Sequence, residues 1–366
     1  MEKKSKHSYA MALIAAIWLG LAVWCWLRPS DAASVSERRP LAQFPGISVE
    51  NLASGDFMEK FEDYSLDQFP LRDAFRRLKA GFHTGVLLQK DNNGIYITGS
   101  QAAKLEYPLS EPSLEHALAV MEKIREKYLR DSRVFVSVIP DKGYYLAPPE
   151  GRPAMDYEKM METVAGALEG ASYVNLTDLL SADSYYTTDT HWRQEKLLEV
   201  ATRLCGALGV SAPKPEDYRP VTQTQPFYGV YYGQAALPMA PDKLIWLESE
   251  LLKDCRVYNY ETGKYGSVYD SEKLAGNDLY ETFLSGPVSL LTIENPHAET
   301  DRELIIFRDS FGSSIAPLLV QGYKSVTLVD VRYISSAMLD RFIDFQGQDV
   351  LFLYSTLVLN NSNQMQ

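Results

Sequence analysis

The sequence predicts an α/β fold: a parallel sheet with flanking helices, a β-rich insertion, and an N-terminal transmembrane helix. Three observations carry this reading. From Ser113 onward, short apolar runs alternate with stretches whose apolar residues recur at helical spacing. Strands separated by helices are joined by crossovers, so neighbouring strands run parallel and both sheet faces are covered. Residues 213–287 break this rhythm with a tyrosine- and glycine-rich stretch that lacks helical spacing, including Phe227-Tyr228-Gly229-Val230-Tyr231-Tyr232-Gly233. Near the start, Lys3, Lys4 and Lys6 precede an uncharged apolar run from Tyr9 to Leu27.

That run is about 19 residues, near the length a helix needs to cross a hydrocarbon core. Trp24 and Trp26 fall near its outer boundary, where indoles favour the interface. Residues 1–8 read as a basic cytoplasmic tail and 9–27 as the anchor, with the remainder outside the cytoplasm. A cleaved signal peptide, cut near Ala32-Ala33, is the competing reading; the length of the run favours an uncleaved anchor. Residues 28–42 are polar and proline-punctuated and read as a stalk, leaving 43–366 as the main folded domain.

Phe57, Phe61 and Tyr64, then Phe75, Leu78, Phe82 and Val86, follow helical spacing and predict helices leading into the core, with a partner-binding helix as the competing reading. Ser113 is expected to cap a helix to about Leu129, followed by a buried strand over Val134–Ile139. A helix over Tyr157–Leu168 and another over Gln194–Leu208 come next. Leu304–Phe307, Ser325–Val329 and Val350–Tyr354 read as strands, with helical stretches over 312–321 and 335–345.

The composition, 46% hydrophobic and 23% charged, is that of an ordinary globular protein. A formal charge of -12 excludes nonspecific nucleic-acid binding, which needs clustered lysine and arginine. Cys25 lies in the anchor; Cys205 and Cys255 are left either to form a disulfide, which export would permit, or to remain buried thiols. No cysteine pair has metal-ligand spacing, and neither a metal nor a cofactor is expected.

Among the histidines at 7, 83, 116, 191 and 297, only His191 has a carboxylate, Asp189, two residues before it and lies upstream of a serine on a strand-to-helix turn. A serine hydroxyl is a poor nucleophile at neutral pH; it needs an imidazole to accept its proton and a carboxylate to hold the imidazole's tautomer. Ser310 sits between the strand Leu304–Phe307 and the helix from Gly312, where ligands collect in open α/β sheets. The helix start offers the amides of Ser310, Phe311 and Gly312 to a developing oxyanion. Blander readings stand beside this one: Asp309 or Ser310 caps the helix, Asp189 or Thr190 caps the next, and His191 is a surface residue. Zinc is disfavoured because no second histidine lies near His191. Lys142, Arg332 and Tyr333 follow predicted strands and are candidates to line the same edge. The tyrosines at 185, 186, 228, 231 and 232 either stack on sugar rings or are simply packed.

Asp189-Thr190-His191-Trp192 followed by Arg308-Asp309-Ser310-Phe311 resembles the DHHW family and the alginate O-acetyltransferase-like proteins, a branch of the SGNH hydrolase superfamily. Glu37-to-Pro45, the Phe61-to-Arg72 stretch, Ile139-Pro140-Asp141-Lys142 and Asp330-Val331-Arg332-Tyr333 extend the resemblance over most of the chain beyond the anchor. The resemblance implies a flavodoxin-like SGNH-type domain with permuted motif order, the histidine segment preceding the serine. It also implies O-acetyl transfer to a polysaccharide substrate through Ser310, His191 and Asp189, with a multi-pass membrane acyltransferase supplying acetyl groups. Thr190 replaces the family's second-position histidine, and Arg308 stands where a glycine would precede Asp-Ser. Asn360 only loosely matches the oxyanion asparagine of SGNH enzymes. An esterase with the same triad, or a noncatalytic glycan-binding protein of the same fold, are the other functions this reading leaves open.

Overall fold

The computed structural model describes residues 2–366, with side chains from His7 onward. Met1 and the side chains of residues 2–6, most of the expected basic tail, lie outside the described residues. The chain divides into two units, residues 1–93 with 232–238, and residues 94–231 with 239–366.

The second unit is built on an eight-stranded sheet. Its strands are β1 (Arg133–Ile139), β2 (Ser172–Tyr173), β3 (Arg256–Asn259), β4 (Lys264–Gly266), β5 (Leu290–Glu294), β6 (Glu303–Arg308), β7 (Ser325–Val329) and β8 (Asp349–Ser355). They lie in the order β4-β3-β5-β7-β6-β8-β1-β2. From β7 to β2 every pairing is parallel; β5 is antiparallel to both β7 and β3. The main helices of this unit are α1 (Glu111–Tyr128), α2 (Tyr157–Ala167), α3 (Leu198–Leu208) and α4 (Gly312–Leu319).

Strand side chains alternate between faces, and the core divides accordingly. Leu304, Ile306, Leu351 and Leu353 pack with Val200, Leu204 and Leu208 of α3 and Ile315 and Leu319 of α4. Ile305, Phe307, Val350 and Phe352 pack with Ala117, Met121 and Ile124 of α1 and Met160 and Val164 of α2. The near-continuous apolar runs of β6 and β8 are what a sheet covered on both sides requires.

Several expectations are corrected. Helix α1 has Ser110 at its N-cap position, without a side-chain capping bond, and carries Pro112 in its first turn, while Ser113 lies inside it and bonds Ser362. The helix expected from Gln194 begins as a single 3₁₀ turn before α3, and 335–345 holds only the 3₁₀ segment Ser336–Arg341. The stretch 213–287 is not a separate β insertion throughout. Arg219–Phe227 pairs with Asp242–Glu248, whereas β3 and β4 extend the central sheet because Val257 registers against Ile293. Cys205 and Cys255 are free, buried thiols, each pushed up to about 12 by desolvation.

In the first unit, Glu2–Leu27 is one helix, and His7–Leu27, 21 residues, is long and apolar enough to span a membrane. Within the expected stalk, Ala33–Ser34 pairs with Arg39–Pro40, and both Arg39 guanidinium nitrogens bond Asp67. That pairing holds the Asp67 carboxyl down at about 2. The helices Asp56–Asp67 and Arg72–Gly85 do not lead into a core: of their residues only Ala80 is buried. The arginines of the second helix turn its polar face inward, with Arg72 and Arg76 both paired to Glu37.

Candidate active site

The carboxyl ends of the parallel strands carry a layer of buried polar side chains. Asp309, immediately after β6, is fully buried, and its two carboxylate oxygens accept from the amides of Phe311 (3.0 Å) and Ser355 (2.8 Å). This ties the turn after β6 to the end of β8. Ser355 in turn caps the short helix Thr356–Leu359. Thr356 donates to Asp141 (2.7 Å), the residue following β1 by two positions. Tyr157 and the Gly143 amide also donate to Asp141, but burial still raises its carboxyl above the ordinary range.

Ser310 is the half-buried residue of the turn. With Asp309 taking the turn's amides, the Ser310 hydroxyl is left to meet His191 Nε2 at 2.7 Å. His191 Nδ1 lies 2.6 Å from Asp189 Oδ1. The structure therefore brings Ser310, His191 and Asp189 into one hydrogen-bonded chain, across 119 residues of sequence between hydroxyl and imidazole. Because Asp189 can only accept, Nδ1 carries the proton and Nε2 presents its lone pair to the serine.

The loop bearing Asp189 and His191 is held at many points. Tyr185 bridges Trp192, and the Tyr186 amide donates to the His191 carbonyl at 3.1 Å, making the motif the tip of a tight loop. Asp242 accepts from the amides and hydroxyls of both Thr187 and Thr188. Asp189 Oδ1 also accepts the His191 amide (3.0 Å), and Oδ2 accepts the Val230 amide (2.8 Å). Gly229 lies so close that a Cβ there would overlap the Asp189 main chain. Trp192 Nε1 donates to Ser314 Oγ (2.8 Å) and the Phe311 carbonyl (3.1 Å), joining the histidine loop to α4. Tyr280 stacks on the imidazole with centroids 3.8 Å apart and planes 10° apart, and its hydroxyl lies 2.8 Å from Ser314 Oγ. The imidazole side chain keeps only 11% of its surface open.

The remaining expected site residues fare differently. The Phe311 amide is taken by the Asp309 carboxylate and the Gly312 amide by the Asp309 carbonyl (3.1 Å), so the turn itself engages both expected oxyanion donors. No acceptor faces the Ser310 amide among the described residues. Gly312 matters for space: a Cβ there would stand 2.6 Å from Arg308 Cβ and 2.9 Å from its Cγ. Arg308 is fully buried, donating to the Val288 carbonyl (3.1 Å) beside Asp330. Lys142 does not line an open edge. It is buried, with Nζ on the carbonyls of Tyr186 (2.9 Å) and Thr187 (3.2 Å), and desolvation lowers its amine to about 7. Arg332 is locked onto Asp330 by two bonds, at 2.8 and 2.6 Å. Tyr333 is exposed. Asn360 is used beside α1, where its carbonyl accepts the Ser110 amide at 2.7 Å. Tyr185, Tyr186 and Tyr231 are buried, which rules them out as sugar platforms; Tyr228 is exposed.

Sequence reasoning missed Tyr280, Asp242 and Gly229. Each sits in the irregular stretch after residue 213, and none carries a local pattern that points to His191 or Asp189. No group of three metal-ligating side chains occurs among the described residues.

Residues 157–329 match the family described as DHHW protein. Among solved structures, the chain is similar to a DHHW family protein from Eubacterium siraeum, with 21% identity and a TM-score of 0.62 over 75% of this chain and 94% of that one. It is also similar to Bacillus cereus PatB1, with 15% identity and a TM-score of 0.58 over 72% of this chain and 96% of that one. A PatB1 structure with a sulfonyl adduct gives 16% identity and a TM-score of 0.55 over 72% and 97% of the two chains. No curated protein matches the sequence. The resemblance to the DHHW family and the α/β fold of a mostly parallel sheet with flanking helices are both borne out.

Proposed function

We propose that this DHHW-type protein is a membrane-anchored serine acyl-transfer enzyme that O-acetylates a cell-surface or exported polysaccharide outside the cytoplasm. The observation that carries the proposal is the unbroken chain Asp189–His191–Ser310, with contacts of 2.6 and 2.7 Å, at the carboxyl edge of the sheet.

In this reading His191 Nε2 takes the proton of Ser310 as Oγ attacks the acetyl donor's carbonyl carbon. The Ser310 amide donates to the oxyanion. The leaving group departs with the proton from His191, leaving acetyl-serine. A sugar hydroxyl then gives its proton to Nε2 and attacks the acetyl carbon, and His191 returns that proton to Ser310 Oγ as the acetyl–serine bond breaks. Asp189 holds the imidazole tautomer throughout, and Tyr280 fixes the plane of the ring against rotation. Lys142 acts through the loop: it holds the carbonyls just before Asp189 and is a positioning residue rather than a contact for substrate.

His7–Leu27 supplies the anchor, with the N-terminus cytoplasmic and the chain after Leu27 outside the cytoplasm. One span cannot carry an acyl group across a bilayer, so a multi-pass acyltransferase is the partner this reading requires. The experiment follows acetyl from a chromogenic acetyl ester in the presence of polysaccharide oligomers. Acetylated oligomer exceeding free acetate supports transfer; release of acetate alone would make the protein an esterase with the same triad.

A further inference from the structure

We propose that the helix Arg72–Gly85 is a lipid-embedded element, laid into the bilayer leaflet at the C-terminal end of the span. The inference rests on His7–Leu27 being that span. Leu71, Phe75, Leu78, Phe82 and Val86 recur at intervals of three and four, one stripe of a helix. A stripe of this kind is normally covered by a core, yet these residues are 53%, 41%, 68%, 51% and 64% exposed. Leu87 and Leu88 continue it, and Leu66 precedes it, all exposed.

The opposite face is already engaged. Arg72 and Arg76 pair with Glu37, Arg76 donates to the Gly233 carbonyl (2.7 Å), and Ala80, one turn on from Arg76, is buried. All these partners belong to the same unit. The helix therefore has one orientation, with its polar side inward and its apolar side bare. Such an exposed apolar patch marks a contact surface.

Continuity with the span selects lipid as the occupant. Cys25 Sγ lies 3.6 Å from the Gln68 carbonyl, and the Trp18 ring meets Phe69 at 6.3 Å between centroids. Phe69 meets Phe75, the second member of the stripe, at 5.4 Å. At about 1.5 Å rise per residue, Trp18 lies ~13 Å along the helix from its end at Leu27. The connector to the stripe is thus packed beside the half of the span that hydrocarbon surrounds. An amphipathic helix starting at that depth, with its apolar face open, meets acyl chains rather than water.

The test is nitroxide scanning of the full chain in phosphatidylcholine vesicles, in a Cys25→Ser background that leaves only the two buried native thiols. Labels are placed through Leu78→Cys and Phe82→Cys on the stripe, Asp73→Cys on the other face, and Leu13→Cys in the span. All four sites are exposed, so thermal unfolding should match the unlabelled chain. Collision with oxygen relative to a water-soluble nickel chelate should be about fivefold or more higher at 78 and 82 than at 73, and close to that at 13. Nickel access at 78 and 82 with lipid values at 13 would overturn the inference while leaving the span intact. Protection of 78 and 82 from both reagents would overturn it in favour of a protein cover, such as a second copy. Nickel access at 13 would remove the span, and the inference with it.

Discussion

Gly312→Ala is a small change with a large expected effect. The added Cβ would stand 2.6 Å from Arg308 Cβ, 2.9 Å from Cγ and 3.2 Å from Cδ. Ordinary carbon–carbon contact begins near 3.5 Å, so about 0.9 Å must be found. Arg308 cannot supply it by swinging away, because the closest atoms are the root of a fully buried side chain at the end of β6. The start of α4 must move instead, and Ser310, two residues earlier, moves with it. Its 2.7 Å contact with His191 Nε2 would open beyond hydrogen-bonding range. A misplacement of about 1 Å costs on the order of 100-fold in turnover, and overpacking costs about 1–3 kcal/mol of stability. Hydrolysis of a chromogenic acetyl ester by the full chain gives kcat, and urea unfolding gives the stability. Turnover within threefold of wild type, at unchanged stability, would refute the argument from close approach.

Asp189→Asn leaves one acceptor oxygen where the carboxylate serves the His191 ring, the His191 amide and the Val230 amide with two. Turnover should fall on the order of ten-thousand-fold, read as kcat in the same ester assay. Asp309→Ala strips the acceptor from two buried amides, Phe311 and Ser355, and should lower unfolding free energy by about 2–5 kcal/mol in urea titration. Lys142→Met tests the buried amine through pH. The folded amine releases its proton near 7 and the unfolded one near ~10.4, so between those values the unfolded state binds more protons. Wild-type stability relative to Lys142→Met should therefore rise with pH across that window, by up to ~1.4 kcal/mol per pH unit, and stay flat below it. A difference independent of pH from 7 to 10 would mean that Lys142 keeps its charge.

Much of the sheet was legible because a strand buried on both faces leaves an unbroken apolar run, as in Leu304–Phe307 and Val350–Tyr354. The hydrogen-bonded chain Asp189–His191–Ser310 was legible because its members sit in two short segments with local logic, an Asp-x-His loop and a strand-to-helix turn. What could not be read depends on distant approach. Nothing near Tyr280 announces that its ring will lie on His191, and nothing near Gly229 that it will touch Asp189. The engagement of the Phe311 amide was not legible because Asp309 turns its carboxylate back on its own turn, a rotamer the sequence does not encode locally. Lys142 reads as a strand-end lysine of the solvated kind; its burial follows from the loop that folds over it. Helical spacing at Phe75, Leu78 and Phe82 revealed an apolar face but not what covers it, since core, partner and lipid all select the same stripe.

The central claim is that Ser310 is a nucleophile activated by His191. Incubating the full chain with a serine-reactive fluorophosphonate, then mapping the modified peptide, tests it most directly. One adduct is expected, on Ser310, absent in Ser310→Ala and slowed by at least a thousandfold in His191→Ala. An unmodified Ser310, or labelling that proceeds equally fast without His191, would contradict it.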